Sequence, residues 1–373
     1  MADRGGEARA GGGVVGEAGE STLPVVATPV GIGIVGLGEI GQVHMRGFQR
    51  VPTLARVRAV CDVDSARRHA CAQETGANEY ATLAQLLADE RVAAVSVCVP
   101  HNQHCDVALA AIAAGKHVLL EKPMALTVAE CKAILAAAAR ARVRVGVSHN
   151  QLFYPPHVRA CQLLRSGALG RPLLLRMRLG IGSKFGGWRA DPAATGGGLL
   201  FDAGVHRFYM ARALCGEVRE VAAMADAPPA RGEDLAVVLL RFSSGALGVI
   251  EANYHSAPGA FDDAIEVCAS SGTLYISGCE ADFEGFRTGP ALRRYDGAWH
   301  EEHVAPGSWE DSVHASVQAF ALALAQGSAP PVDGREGMAV VELIQRVYEL
   351  TAASADPPGG NAATPPPAGS VTR

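Results

Sequence analysis

The feature that most limits the fold is a short β-branched run, Val30-Gly31-Ile32-Gly33-Ile34-Val35, passing straight into Gly36-x-Gly38-x-x-Gly41. An apolar strand of this length suits a parallel sheet buried on both faces. The three glycines permit a tight turn, close approach of an anion, and close packing of a helix predicted over Ile40–Arg50. The pattern then repeats. Strands are predicted at Val57–Cys61, Val92–Val99, Val118–Leu120 and Val143–Ser148, alternating with helices at Ser65–Thr75, Thr82–Asp89, Asp106–Ala114 and Val128–Ala141. This order predicts a doubly wound parallel α/β sheet whose right-handed crossovers bring the strands' carboxyl ends to one rim. Ligands of such sheets bind outside that rim.

The polar clusters of the first half fall at those ends. Around the glycine turn, the free N–H groups that open the helix face an anion, which suits a dinucleotide pyrophosphate. Asp62 closes the second strand about 20 residues later, where a carboxylate accepts from ribose hydroxyls and repels a 2′-phosphate. NAD is therefore expected over NADP. Arg67 and Arg68 follow and are able to hold a phosphate, although a solvated helix face is the favoured reading. Glu121-Lys122-Pro123 sits where another strand leaves the sheet, so Lys122 is either a ligand donor or an ordinary solvated charge. Pro100 is followed by His101-Asn102-Gln103-His104-Cys105, without a spaced second set of metal ligands. A loop lining the cofactor pocket is the simpler reading, and no metal is expected.

From Arg171 the alternation fails. Strands are predicted at Leu173–Leu179, Glu220–Ala225, Leu235–Phe242, Ala246–Tyr254, Asp263–Ala269 and Thr273–Ser277, with hairpin turns at Ser243-Ser244-Gly245 and Ser270-Ser271-Gly272. With amphipathic helices at Val313–Gln326 and Gly337–Leu350, this is an α+β region built on one mainly antiparallel sheet. Between its first two strands a helix is predicted through Leu199 and on to Leu214. Asp202 and His206 are four apart and share a face of such a helix. The carboxylate would then orient the imidazole and raise its basicity, fitting a general base that takes a proton from an alcohol. The plainer reading is an exposed ion pair contributing a few tenths of a kcal/mol.

The 373 residues are ample for two domains, and a net charge of -5 offers no reason to bind nucleic acid. No apolar run is long enough for a membrane span. The nine cysteines are scattered without a Cys-x-x-Cys pair and read as apolar fillers in a reducing compartment, the cytoplasm. Residues 1–29 and 352–373 lack apolar density and are expected to be disordered tails. The organised chain divides into a cofactor domain, 30–150, and a substrate and oligomerisation domain, 151–351.

Five motifs recur in order: Gly36-x-Gly38-x-x-Gly41 with His44, Pro100-x-Asn102-x-His104, Ala114-Gly115-Lys116-His117-Val118, Glu121-Lys122-Pro123, and Gly197-Gly198 with Asp202-x-Gly204-x-His206. Together they resemble the glucose–fructose oxidoreductase and inositol 2-dehydrogenase (Gfo/Idh/MocA) family over about Val30 to Leu350. The resemblance implies a Rossmann domain, an open-faced sheet domain, and an active site in the cleft between them. It implies Lys122, Asp202 and His206 as the catalytic set, with His206 the acid/base tuned by Asp202. Lys122 would hold the reacting oxygen and the nicotinamide ribose. It places Gly36, Gly38, Glu39, Ile40, Gly41, Asp62, Pro100, Asn102, His104, Glu121 and Lys122 around NAD. Asn150, Trp188, Arg189, Asp202 and His206 would line the substrate, Trp188 by stacking on a sugar face or by simple packing. The open sheet would make a homodimer or homotetramer.

One departure stands out. In His149-Asn150-Gln151-Leu152-Phe153-Tyr154-Pro155, the arginine common in relatives is replaced by Gln151 or Leu152, which suggests a different substrate wall. The expected reaction is oxidation of a secondary hydroxyl, or reduction of the ketone, on a sugar, inositol, aminocyclitol or aminoglycoside. The alanine- and arginine-rich composition suits a high-GC bacterium that tailors natural-product sugars. Two other readings remain open: NAD-dependent glycoside hydrolysis through transient oxidation, and a dinucleotide-binding regulator without catalysis.

Overall fold

The computed structural model describes residues 28–277, 290–305 and 307–354. Most of each expected tail, and Cys279, lie outside the described residues. The first region runs β1 (Val30–Val35), α1 (Glu39–Gln49), β2 (Ala55–Cys61), α2 (Ser65–Thr75), β3 (Asn78–Tyr80), α3 (Leu83–Leu87), β4 (Ala94–Val97), α4 (His104–Ala113), β5 (His117–Glu121), α5 (Val128–Ala141) and β6 (Val145–Ser148). Its six strands are parallel in the order β3-β2-β1-β4-β5-β6, the doubly wound sheet that the alternation predicts. Capping boxes start α3 at Thr82 and α5 at Thr127, which explains why their first turns are legible from sequence.

The second region opens with α6 (Pro155–Arg165) and β7 (Pro172–Ile181), then α7 (Pro192–Thr195), α8 (Leu199–Asp202) and α9 (Val205–Cys215). The sheet continues with β8 (Val218–Ala225), β9 (Leu235–Phe242), β10 (Leu247–Asn253), β11 (Phe261–Asp262), β12 (Ile265–Ala269), β13 (Gly272–Ile276), β14 (Leu292–Tyr295) and β15 (Trp299–Glu301). These strands form one nine-stranded sheet, antiparallel except where β10 runs parallel to β7. In β9 buried and exposed residues alternate strictly, because one face packs on the core and the other is open. The outer face carries Met224, Leu235, Val237, Leu239 and Leu247, all exposed.

The last two helices, α10 (Trp309–Ala325) and α11 (Gly334–Ser354), return to the first region. Gly47 of α1 admits α10 so closely that a β-carbon there would lie 2.4 Å from Val317. Gly337 of α11 packs in the same way against Val147 of β6. The ion pairs Arg46–Glu310 and Arg50–Asp311 flank the first contact.

Three points differ from the sequence reading. The short edge strand β3 and the hairpin β14–β15 were not foreseen, since three or four residues carry too little periodicity. Helix α6 was also missed, because two prolines open it and hide its apolar face. Most consequential, the helix expected to start at a cap by Thr195 or Asp191 and run on to Leu214 is three helices: Asp191 caps α7, residues 196–198 separate it from α8, and Ala203-Gly204 separates α8 from α9. Among the described residues, no helix is long and apolar enough to cross a membrane.

Candidate active site

At the end of β1, Gly36 takes a positive φ of 87°, and a β-carbon there would meet the Cys98 carbonyl at 2.5 Å. Gly41 lies so close to the turn that a β-carbon would sit 2.0 Å from the Gly36 carbonyl. Both positions require glycine for internal packing. Gly38 differs, since a β-carbon there would meet nothing within 4 Å. It leaves open space over the start of α1, whose N-terminus has no side-chain cap. Glu39 and Ile40 form the first turn. Unsatisfied N–H groups facing open space are what an anion needs.

Asp62 closes this corner. Its carboxylate accepts from the backbone N–H of Leu37 at 2.6 Å and from that of Asp64 at 2.8 Å. Arg67 is held by Asp62 and Asp64, while Arg68 donates to the Asp62 carbonyl. Both arginines are thus engaged by the loop itself.

Across the rim, β5 ends in Glu121 and Lys122. Glu121 is buried and receives His44 Nε2 at 2.9 Å, while His44 Nδ1 meets Ser96 Oγ at 2.8 Å. Burial opposes a charge on His44, yet Cys98 and Glu121 together carry its pKa up to about 10. His104 is also fully buried, with its two ring nitrogens against the carbonyls of Pro123 and Val99. Pro100 and Asn102 lie on the short turn before it, Asn102 exposed. Lys122 Nζ reaches out of the first region and donates to the Asp202 backbone carbonyl at 2.7 Å. Burial lowers the Lys122 pKa, opposed by the charge of Asp202.

That one bond explains the break between α8 and α9. In a continuous helix the Asp202 carbonyl would accept from His206 N–H. Here it accepts the Lys122 ammonium, and His206 N–H turns to the Ala203 carbonyl. A cation at the last carbonyl of a helix is favourable in its own right. The expected coupling of Asp202 to His206 is therefore corrected. The Asp202 carboxylate instead takes a bidentate pair from Arg189, with Nε at 2.9 Å and 3.0 Å and Nη2 at 2.9 Å. Arg189 also lies over the Phe185 ring at 3.5 Å.

The Nδ1 atom of His206 is buried without a protein partner. Burial pushes its pKa well below the usual imidazole value, and Lys122, His149, Arg207 and Arg189 add to the effect. The imidazole is neutral at ordinary pH, held so by burial and cations rather than made basic by a carboxylate. Trp188 is partly exposed and meets the buried His101 edge-on at 4.7 Å. Asn150 faces elsewhere: it is buried, and its amide donates to Ser312 of α10 at 2.8 Å.

Comparison with known proteins accords with this geometry. Residues 30–149 match the model of an oxidoreductase family with an NAD-binding Rossmann fold, and residues 157–275 match the GFO/IDH/MocA C-terminal domain. The chain is 30% identical to myo-inositol 2-dehydrogenase of Thermotoga maritima, over 82% of this chain and 91% of that protein. The chain belongs to the GFO/IDH/MocA family of oxidoreductases. D-apiose dehydrogenase of Paraburkholderia graminis is 29% identical, over 84% of this chain and 86% of that protein. Among solved structures, GenD2 from gentamicin A biosynthesis in complex with NAD superposes with a TM-score of 0.77 at 25% identity, covering 92% of this chain and 98% of that one.

As a GFO/IDH/MocA member the protein is an NAD-dependent oxidoreductase, and its own residues fit the cofactor. Gly38 leaves the pyrophosphate its space, α1 presents unfilled N–H groups, and Asp62 stands at the corner where a ribose is read. The family resemblance names Arg189 as a substrate contact but not as a partner of Asp202, and it does not foresee two further members of this site, Tyr254 and His149. Arg189 appears in the sequence without a sign that it would clamp Asp202. Tyr254, whose hydroxyl pKa is pushed up by burial, lies close enough to feel Asp202 and Arg189. His149 carries no local sign of a role, because its stacking partner Tyr209 is 60 positions away and no spacing rule connects them.

Proposed function

We propose that the protein oxidises a secondary hydroxyl of a polyol or sugar-like substrate with NAD, or reduces the corresponding ketone. The observation that carries this reading is the convergence of Lys122, from the rim of the first sheet, with Asp202 at the end of α8 and His206 at the start of α9. His206, neutral and with an unpaired Nδ1, accepts the hydroxyl proton in the oxidative direction. Lys122 donates to the reacting oxygen and so favours the alkoxide that develops on it. Its bond to the Asp202 carbonyl aims the ammonium into the cleft. Asp202 and Arg189 neutralise one another, which keeps the wall polar without net charge, as an uncharged polyol requires. Bound NAD supplies the hydride acceptor.

In this reading residues 30–150 carry the cofactor and residues 151–351 the substrate. Gly36, Gly38, Glu39, Ile40, Gly41, Asp62, Pro100, Asn102, His104 and Glu121 surround NAD. Trp188 offers an aromatic edge to a sugar face, whereas Asn150 acts by tying the end of β6 to α10. The myo-inositol and D-apiose dehydrogenases among the relatives support a polyol or sugar. GenD2 supports a place in natural-product tailoring. A second copy of the chain covers the exposed apolar row of Leu235, Val237 and Leu239, giving a dimer or tetramer. The cytoplasm suits the buried free thiols.

The test is a panel of inositols, pentoses, hexoses, levoglucosan and aminoglycosides with NAD, followed by NADH absorbance. Steady NADH production from one class supports the reading. Release of free sugar without net NADH moves the assignment to hydrolysis, and silence across the panel rejects it.

A further inference from the structure

His149 is 1% exposed, and neither of its ring nitrogens has a protein hydrogen-bond partner. Leaving a buried polar atom unmatched costs about 1–3 kcal/mol, so such a group in a native core calls for an explanation. Nearby histidines show that the fold can satisfy an imidazole: His44 and His104 each have both nitrogens engaged. His149 is held by shape instead. Its ring stacks flat on Tyr209, with centroids 4.3 Å apart and planes 5° from parallel.

Its position follows from register. Strands β5 and β6 are parallel, with Glu121 opposite Ser148, so Lys122 and His149 leave the sheet side by side on neighbouring strands, roughly 5 Å apart in the sheet. From the other side comes α9, where Tyr209 lies three residues after His206 and therefore on the same face, one turn on. An imidazole stacked on Tyr209 and leaving the sheet next to Lys122 therefore lies near both the amine and His206. The charges of Glu121 and Lys122 act on it, and His149 in turn acts on His206.

We propose that His149 is a substrate-recognition residue, exchanging a hydrogen bond with a hydroxyl next to the carbon that is oxidised. The inference rests on the polyol reading given above. Burial holds the His149 pKa down to about 3, so the ring is neutral and offers one N–H donor and one nitrogen acceptor. A hydroxyl, itself donor and acceptor, is the complement of that pair. A carboxylate or phosphate would be poorly served. The carboxamide of a nicotinamide has the same donor–acceptor character, and the experiment separates the two sources.

His149→Phe keeps an aromatic ring on Tyr209 and removes both nitrogens. NAD affinity is measured first, by titration of tryptophan fluorescence, and is expected to stay within about two-fold of wild type. Affinity for myo-inositol and for the other polyols of the panel is measured by calorimetry on the NADH-loaded protein, without turnover. The expected result is about ten-fold weaker binding, the value of one hydrogen bond, with KM raised more than kcat falls. Monodeoxy analogues give the decisive comparison: the one lacking the contacted hydroxyl binds wild type about ten-fold more weakly and loses nothing further in the variant. His149→Gln, which keeps a donor and an acceptor, restores part of the affinity and serves if the phenylalanine variant does not fold. Equal polyol affinities in wild type and both variants overturn the proposal, as does weakened NAD binding with polyol affinity intact. Polyol binding that depends on His149 without NADH production would instead overturn the assigned reaction and leave the inference standing.

Discussion

Two layers of the molecule meet at the ends of β5 and β6, offset by a single residue. Glu121 and Ser148 face α1, where His44 bridges them, with Nε2 2.9 Å from Glu121 and 3.4 Å from Ser148. Lys122 and His149, the next residue on each strand, turn instead toward α8 and α9. In the first layer the imidazole is partnered at both nitrogens and its pKa stands at about 10. In the second the imidazole is partnered at neither and its pKa stands at about 3. Burial is equal in the two cases. What differs is whether the protein or a ligand is left to complete the hydrogen bonding. The partnered layer holds the rim in place, and the unpartnered layer is the one that the proposed reaction uses.

The comparison makes its largest claim about His206. His206→Ala should lower kcat by about 10²–10⁴-fold, the usual share of a general base, with NAD affinity and thermal midpoint nearly unchanged. Stopped-flow NADH formation beside a cofactor titration checks this, and an equal loss of stability would place His206 with the structural layer. Glu121→Ala should act the other way. Stripping a buried histidine of its counter-charge costs about 3–5 kcal/mol, read as a lower urea midpoint whether or not substrate is present.

The two layers should also respond to opposite ends of the pH scale. His149 near 3 and His157 near 4 stay neutral in the folded chain, while their unfolded counterparts take a proton at about 6.5. The unfolded state then binds more protons, so stability falls as pH drops below 6.5, by up to about 1.4 kcal/mol per unit for each group. His44, near 10, keeps its proton when folded, so its contribution is complete below 6.5 and is lost as pH rises toward 10. Thermal midpoints from pH 4.5 to 9.5 should fall on both sides. His149→Phe should flatten only the acid limb, and at neutral pH it should leave stability equal to or above that of wild type, the smallest effect expected. A clear loss at neutral pH would mean that its nitrogens do have structural partners.

How much of this was legible in the sequence depended on how local the cause was. The turn of Gly36, Gly38 and Gly41 and the corner at Asp62 were readable because strand, turn and helix lie within one β-α-β unit. Lys122, Asp202 and His206 are legible through the resemblance, and the structure brings them near one another. Their mutual geometry was not readable. The spacing of Asp202 and His206 argued for a shared helical face, but that argument assumes an unbroken ladder. An amine from 80 positions away took one carbonyl out of it, and an arginine 13 positions away took the carboxylate. The departure at Gln151 was noticed without its compensation: Arg207, fully buried on α9, places its guanidinium against the Gln151 side chain and the Asp263 carbonyl. Such exchanges between distant segments leave no mark on local periodicity.

The seat that Gly47 provides for Val317, and that Gly337 provides for Val147, has a consequence in time. A chain leaves the ribosome from its N-terminus, and domains usually close in that order. Here the nucleotide-binding sheet is made first, yet one flank of α1 stays bare until α10 arrives, and β6 waits for α11. The half of the molecule that grips the cofactor is thus finished last, by the final helices to be synthesised. A chain interrupted before Trp309 would carry Lys122, Asp202 and His206 and still present an open apolar seam to its neighbours.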